Sequence, residues 1–146
     1  MRLAAALILS ASLAGAACKR PAPLPDDLVR AQAAERETDS KQAFAEYTDL
    51  VARCRSGARP NSAKDDCGVA ALHRAEILER MELRGEASPG SAEQAYLDVR
   101  SVSSDGRTIA RAQFQAAQLI SRRDPALAVT IAHEIVTRWP SEVAAE

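Results

Sequence analysis

The chain has 146 residues, 47% of them hydrophobic but only 3% aromatic, which leaves room for one domain with a modest, alanine-rich core. Its formal charge of −1 comes from 19 basic and 20 acidic residues spread along the sequence, so the electrostatic footprint of a nucleic-acid-binding protein is missing. The sequence also lacks the β-branched and aromatic runs, separated by frequent turns, that a sandwich or barrel needs. The composition therefore predicts an all-α fold with no nucleic-acid partner.

The first 17 residues have the composition of a cleaved export signal. Arg2 supplies the positive start, and the apolar run from Leu3 to Leu13 is too short to stay in a bilayer as a permanent span. We therefore expect residues 1–17 to be removed and the rest of the chain to be exported. Residues 18–25 (CKRPAPLP) then form an extended, proline-rich tether ahead of a domain spanning residues 26–146.

The end of this signal resembles that of bacterial lipoproteins. In those signals an aliphatic residue and two small residues precede a cysteine that becomes lipidated, and Cys18 directly follows the segment LAGAA at residues 13–17. The resemblance implies a lipid anchor at Cys18. In such lipoproteins an aspartate after the cysteine retains the protein at the inner membrane. Because Lys19 stands at that position here, the resemblance also favours the outer membrane, with the domain facing the periplasm. The alternative is an ordinary signal peptide cut after a small-x-small site, which gives a soluble periplasmic or secreted protein.

Six helices are predicted in the domain, because apolar residues recur at three- and four-residue steps between loops rich in turn-forming residues. The predicted helices are Asp26 to about Thr38, Asp39 to Cys54, Ala63 to Leu83, Ser91 to Ser103, Asp105 to Arg123, and Pro125 to Trp139. The fourth begins with Ser91-x-x-Gln94, a capping-box pattern. A further helix is expected to start at Ser141-Glu142.

The clearest pattern is the helical hairpin between Asp105 and Pro140. Asp124 is placed to cap the second helix, and Pro125 follows at a position where a missing N–H does no harm. Trp139 should end that helix because a residue before proline is pushed out of the helical region. Its apolar face is predicted to comprise Leu127, Ala128, Ile131, Ala132, Ile135, Val136 and Trp139.

Three successive hairpins place small and apolar residues in a pattern that resembles the tetratricopeptide repeat. The matching positions are Ala31, Ala34, Ala43 and Tyr47 in the first, Ala75, Leu78, Ala95 and Val99 in the second, and Ala116, Leu119, Ala128, Ala132 and Pro140 in the third. Together with the lipoprotein-like start, the ending WPSEVA at residues 139–144 resembles the repeats of bacterial outer-membrane-assembly lipoproteins.

This resemblance implies a solenoid of about three stacked antiparallel hairpins, and a chain that is either a fragment or lacks the usual cap. The alternative is a non-repetitive helical bundle, which folds back on itself where a solenoid separates its termini.

Cys54 and Cys67 are the chemically most informative pair in the domain. They flank the loop between two helices that a hairpin makes neighbours, and in an oxidising compartment such a pair is expected to form a disulfide rather than remain as two free thiols. A metal site formed by this pair with His73 has the spacing C-x12-C-x5-H, which lacks the close-set ligand pairs of zinc sites. We therefore expect no metal site, and His133 on a polar helix face should be solvated.

The remaining features predict recognition rather than catalysis. The sequence has no G-x-S-x-G, phosphate-binding glycine loop or H-E-x-x-H motif, and Glu76, Glu79 and Glu82 are expected to pair with Arg80 and Arg84 along one helix. Four aromatic residues are either core or the lining of a concave peptide groove: Phe44, Tyr47, Tyr96 and Phe114.

The functional prediction is a non-enzymatic scaffold lipoprotein of the bacterial cell envelope, with no cofactor. It should bind a partner protein or peptide through its helical-repeat surface and the membrane through Cys18. The alternative is a soluble exported helical bundle that serves as an accessory subunit or carries a small ligand.

Overall fold

The computed structural model describes residues 26–36, 40–58 and 64–143, and this part of the chain is all-helical. Its helices are α1 (Asp26–Arg36), α2 (Ser40–Arg55), α3 (Lys64–Leu83), α4 (Ser91–Asp98), α5 (Gly106–Ser121), α6 (Pro125–Arg138) and α7 (Pro140–Val143). A 3-10 turn, Val99–Ser101, continues α4. The all-α prediction is confirmed for these residues. The predicted signal, Cys18 and the tether lie outside them.

Two helix starts follow from local sequence. The side chain of Asp124 accepts a hydrogen bond from the Leu127 N–H at 3.0 Å, with Pro125 in the first turn, so the predicted cap of α6 is confirmed. Asp105 caps α5 in the same way, accepting from the Thr108 N–H at 2.8 Å. The hydrogen bonds from the Thr108 hydroxyl and N–H lower the pKa of Asp105.

The start of α4 differs from its predicted capping box. Gly90 is the N-cap, with φ of 85°, and no side chain of the helix itself caps it. The cap comes from α3, where the Glu82 carboxylate accepts hydrogen bonds from the Ser91 hydroxyl and the Ala92 N–H. Burial alone would raise the pKa of Glu82, but these donors together lower it. A carboxylate from the preceding helix thus replaces the local box.

The helices form three hairpins: hairpin one is α1–α2, hairpin two is α3–α4, and hairpin three is α5–α6. In hairpin one, Asp27 at the start of α1 lies 2.6 Å from Arg53 near the end of α2. Glu35 near the end of α1 lies 3.0 Å from the hydroxyl of Tyr47 in the middle of α2. Such pairing requires an antiparallel arrangement. Each helix packs mainly on its neighbours in sequence, and α3 also touches α5. In the described part of the chain, no sizeable contact joins hairpin one to α5 or α6.

Hairpins one and two repeat one spacing of core residues. A large aliphatic residue is followed three residues later by alanine and four residues after that by glutamate; in the second helix, alanine, tyrosine and an aliphatic residue follow at steps of four and three. The two sets are Leu28, Ala31, Glu35, Ala43, Tyr47 and Leu50, and Leu72, Ala75, Glu79, Ala92, Tyr96 and Val99. Apart from the two glutamates, all of these residues are buried. The residues of hairpin two that correspond to Ala43 and Tyr47 by this spacing are therefore Ala92 and Tyr96, whereas the predicted equivalents were Ala95 and Val99.

The predicted helix contacts are mostly present, but α6 is less buried than its sequence suggested. The small residues expected at helix contacts all belong to the core: Ala31, Ala43, Ala75, Ala95, Ala116 and Ala128. Leu127 and Val136, predicted to face the interior, are 42% and 56% exposed, and Val129 is 68% exposed. The reason is that, among the helices described, α6 makes sizeable contacts with α5 and α7 alone, so its outer side has no helix packed closely against it.

A disulfide joins hairpin one to hairpin two. Cys54 near the end of α2 and Cys67 in the first turn of α3 have their sulfur atoms 2.03 Å apart and their Cα atoms 6.0 Å apart. This is the pair that the sequence analysis selected. No helical stretch in the described ranges combines the length and apolar character that crossing a bilayer requires.

Candidate functional site

A furrow runs over the first helices of the three hairpins. One hollow, of about 530 Å³, is lined by Glu35, Ser40, Arg80 and Arg84. A second, of about 370 Å³, is lined by Glu76, Glu79, Arg80, Leu83, Tyr96, Arg111 and Gln115. Because Arg80 lines both, the two hollows adjoin. We call the residues of both hollows the polar furrow.

Two buried tyrosines hold the carboxylates of the furrow from below. The Tyr47 hydroxyl donates to Glu35 Oε2 at 3.0 Å, and the Tyr96 hydroxyl donates to Glu79 Oε2 at 2.6 Å. Burial has the largest effect and the hydrogen bond to the glutamate the next largest, and together they raise the pKa of each tyrosine well above its ordinary value. Both hydroxyls therefore stay protonated and act as fixed donors, which restricts where each carboxylate can lie.

Arginines contact two carboxylates of the furrow from the solvent side, those of Glu35 and Glu76. Arg80 Nη2 lies 2.9 Å from Glu35 Oε1, and Arg111 Nη2 lies 2.8 Å from Glu76 Oε1. These pairs connect α1 with α3 and α3 with α5. Half-exposed ion pairs of this kind contribute little to stability, about 0–1 kcal/mol each. Their main effect is to present charges of both signs in fixed positions.

His73 lies between two of these carboxylates. Its ring stacks on Tyr47, with centroids 5.4 Å apart and planes 7° apart. Its Nδ1 atom is 3.1 Å from Glu35 Oε2 and 3.4 Å from Glu76 Oε2. Although both oxygens are close, this nitrogen is buried and makes no hydrogen bond. The side chain is oriented by stacking and leaves one polar atom unsatisfied.

The aromatic residues named in the sequence analysis separate into two groups. Tyr47 and Tyr96 are fully buried, so their rings serve as core, and only their hydroxyls reach the furrow residues. Phe44 packs partly against the core, with the Arg74 guanidinium 5.5 Å from its ring centroid. Phe114 on α5 is 48% exposed. The four therefore do not form one groove lining, and Phe114 alone offers a largely open ring.

The expected ion pairs along α3 are replaced by pairs to other segments. Arg80 pairs with Glu35 of α1, Arg84 pairs with Glu86 of the following loop, and Glu76 pairs with Arg111 of α5. Helical spacing alone could not identify these long-range partners. The sequence signal that points to part of the site is the repeated Ala-x3-Glu spacing, which marks Glu35 and Glu79 as equivalent positions.

The histidine and cysteines of the rejected metal interpretation lie in different environments. Cys54 and Cys67 are bonded to each other, whereas His73 contacts Glu35 and Glu76. His133 is exposed on α6, where its carbonyl accepts a hydrogen bond from the Thr137 hydroxyl at 2.7 Å. Cys18, the predicted lipidation site, lies outside the described residues.

The arrangement of the furrow suits recognition of a charged or polar chain. Arg80 is paired with Glu35 and Arg111 with Glu76 at the surface, so a ligand of either sign can exchange for one partner without burying a bare charge. Comparison with known proteins adds no relative: no family model, no curated protein and no solved structure matches the chain.

Proposed function

We propose that the chain is a non-enzymatic, tetratricopeptide-like interaction domain of the bacterial cell envelope, which binds a partner protein or peptide along the polar furrow. The observation that carries the proposal is the packing of hairpins on their neighbours in sequence, with a mixed-charge furrow across α1, α3 and α5. Arrays that pack in this manner build extended binding surfaces from equivalent helices. The repeated core spacing of hairpins one and two supports the repeat interpretation.

The partner is best described as an extended segment that carries both acidic and basic side chains. The furrow presents Glu76 and Glu79 beside Arg80 and Arg111, and its two hollows share Arg80. Alternating charges favour a partner whose charges alternate in the complementary order. Leu83, which is 83% exposed and lines the second hollow, supplies apolar contact area there.

Export and anchoring are part of the same proposal. The signal-like residues 1–17 and the Cys18 motif support export and a lipid anchor on the periplasmic side of the outer membrane. The Cys54–Cys67 disulfide is consistent with an oxidising compartment. Intact mass of the membrane-extracted protein tests this part: a diacylglyceryl-plus-acyl increment on Cys18 is expected, and Cys18→Ala should release the chain from the membrane fraction. A mature chain that begins elsewhere without lipid contradicts the anchor.

Site-specific photo-crosslinking in intact cells tests the binding surface. A photoreactive amino acid at Leu83, on the rim of the furrow, should give a discrete adduct whose partner mass spectrometry identifies. The matched control carries the same group at Val129, which is similarly exposed but lies on α6. Arg80→Glu should abolish the Leu83 adduct because it reverses the charge shared by both hollows. Adducts from Val129 alone would contradict the furrow as the binding surface.

A further inference from the structure

Glu35, His73 and Glu76 bring three potential metal-ligand atoms together from two helices. Glu35 belongs to α1, and His73 and Glu76 lie one turn apart on α3. One atom from each side chain can be chosen so that all three lie within 4.8 Å of one another. Sequence spacing suggested His73 as a ligand only beside Cys54 and Cys67, because Glu35 is far from His73 and Glu76 along the chain.

The separations between these atoms match those between ligands of one ion. Metal bonds of about 2.0–2.2 Å to imidazole nitrogen and carboxylate oxygen place neighbouring ligand atoms of a tetrahedral site about 3.3–3.5 Å apart. His73 Nδ1 lies 3.1 Å from Glu35 Oε2 and 3.4 Å from Glu76 Oε2. Two edges of the coordination polyhedron are therefore already close to their final length, and solvent can supply the remaining ligand.

The unsatisfied nitrogen of His73 is the second observation that points to an ion. Nδ1 is buried and has no hydrogen bond, although two carboxylate oxygens lie close to it. A buried polar atom without a partner is unfavourable by about 1–3 kcal/mol. A cation on the nitrogen lone pair, in contact with both oxygens, satisfies it. The stacking of the ring on Tyr47 fixes the direction of that lone pair.

The surroundings orient the carboxylates as outer groups do in known metal sites. Tyr47 donates to Glu35 Oε2, while Arg80 and Arg111 hold the Oε1 atoms of Glu35 and Glu76, so both Oε2 atoms are directed towards His73. The positive charges of the two guanidinium groups repel a metal cation, so the ion should bind more weakly than at a cysteine-rich structural zinc site. One imidazole with two carboxylates favours a first-row transition metal over calcium or magnesium.

We infer that Glu35, His73 and Glu76 form a binding site for a divalent transition-metal ion of the zinc type. Bound there, the ion joins α1 to α3 and so links hairpin one to hairpin two on the furrow side, at a place distinct from the disulfide. Glu35 and Glu76 also line the polar furrow, but binding of the ion does not require a partner protein.

Cobalt(II) and zinc(II) are the probes that test the inference, used with the purified chain without a polyhistidine tag. Cobalt(II) should give a visible absorption band that saturates at one ion per chain and disappears when zinc(II) is added. In NMR spectra, zinc(II) should shift the imidazole signals of His73, while those of His133, the only other histidine in the chain, serve as the internal control. Equal effects on both histidines, or no saturable binding, would overturn the inference.

Isosteric variants test which carboxylates bind the ion. Glu35→Gln and Glu76→Gln should each weaken binding by at least about tenfold, whereas Glu79→Gln should leave it within about twofold. Glu79 is the matched control because it accepts from Tyr96 as Glu35 accepts from Tyr47, yet lies outside the cluster. Circular dichroism verifies that each variant is folded. If the Glu35→Gln variant does not fold, the Glu76→Gln variant decides the test. Binding unaffected by Glu76→Gln rejects the site.

Discussion

Hairpins one and two differ from hairpin three in how their paired helices are fastened. In the first two, a buried tyrosine of the second helix donates to a glutamate of the first, Tyr47 to Glu35 and Tyr96 to Glu79. In hairpin three, the spacing that begins with Ile109 and Ala112 in α5 places Ala116 at the glutamate position. The spacing that begins with Ala128 in α6 places Ala132 at the tyrosine position. Both members of the tyrosine–glutamate pair are replaced by alanine together.

The paired replacement has a physical reason. A tyrosine alone would bury a hydroxyl without its acceptor, and a glutamate alone would place a carboxylate in the helix contact without its donor; either is unfavourable. In hairpin three, α6 instead buries the aliphatic residues Ile131 and Ile135, while Ala132 is exposed. The first two hairpins therefore contain the tyrosine–glutamate hydrogen bonds beside the furrow, and the third hairpin has no counterpart of them at these positions.

Among the substitutions that test how the hairpins are held together, Tyr96→Ala should cause the largest loss of stability. Removing a buried aromatic ring leaves a cavity, so the free energy of unfolding should fall by about 3–5 kcal/mol. Phe114→Ala, an aromatic truncation at an exposed position of hairpin three, should change it by less than about 0.5 kcal/mol. Urea unfolding followed by circular dichroism measures both. A Tyr96→Ala loss no larger than that of Phe114→Ala would show that the tyrosine does not fasten hairpin two.

The next largest effect should come from the disulfide. It closes a loop with a sequence separation of 13 residues, so Cys54→Ser with Cys67→Ser should lower the free energy of unfolding by about 3 kcal/mol. Because the bond joins hairpins one and two, native-state hydrogen exchange should speed up more in α2 and α3 than in α6. Alkylation without reduction should label neither thiol of the native protein. Labelling of both would contradict the bond.

Hairpin three has its own close contact at Gly106. A Cβ placed there lies 2.7 Å from Trp139 Cδ1, so Gly106→Ala forces the indole or the start of α5 to move. The expected destabilisation is about 1–3 kcal/mol, as for other overpacking substitutions. Trp139→Ala supplies the control in a double-mutant cycle: the clash disappears in the double variant, so its destabilisation should be smaller than the sum of the single ones. An additive result would contradict a direct clash.

High pH should weaken hairpins one and two selectively. Burial and the glutamate partner raise the pKa of both tyrosines in the folded chain, whereas in the unfolded chain they titrate near 10.0. Their contribution is therefore fully present below pH 10 and is lost as pH rises above it, by about 1.4 kcal/mol per pH unit for each tyrosine. Tyr47→Phe with Tyr96→Phe should remove this steep fall in urea titrations above pH 10. An unchanged slope in the double variant would assign it to other groups.

Elements with local signals were the predictable part of the molecule. The ends of α6 could be read from Asp124, Pro125 and the Trp139-Pro140 pair, because caps and proline act within a few residues. Likewise, the Cys54–Cys67 pairing followed from two cysteines beside one loop.

Features that depend on distant residues were not predictable in the same way. The start of α4 at Ser91 was predicted correctly, but its capping box was wrong because the cap comes from Glu82 in another helix. The ion-pair network was missed for the same reason, since Arg80 pairs with Glu35 and Arg111 pairs with Glu76 across helices. The inward face of α6 was overestimated because apolar periodicity shows which residues share a face, but not whether a neighbour covers it.

The smallest expected effect concerns that outer face of α6. Val129 and Val136 lie two turns apart on α6 and are largely exposed, so Val129→Gln with Val136→Gln should change the free energy of unfolding by less than about 0.5 kcal/mol. Ile131→Gln, on the buried side of the same helix, is the matched control and should be strongly destabilising because it places an amide in the core. A loss above about 1 kcal/mol for the surface pair would mean that these valines are covered in the working protein. Light scattering would then show whether a second copy of the chain is what covers them, and hairpin three would be an interface rather than a plain support.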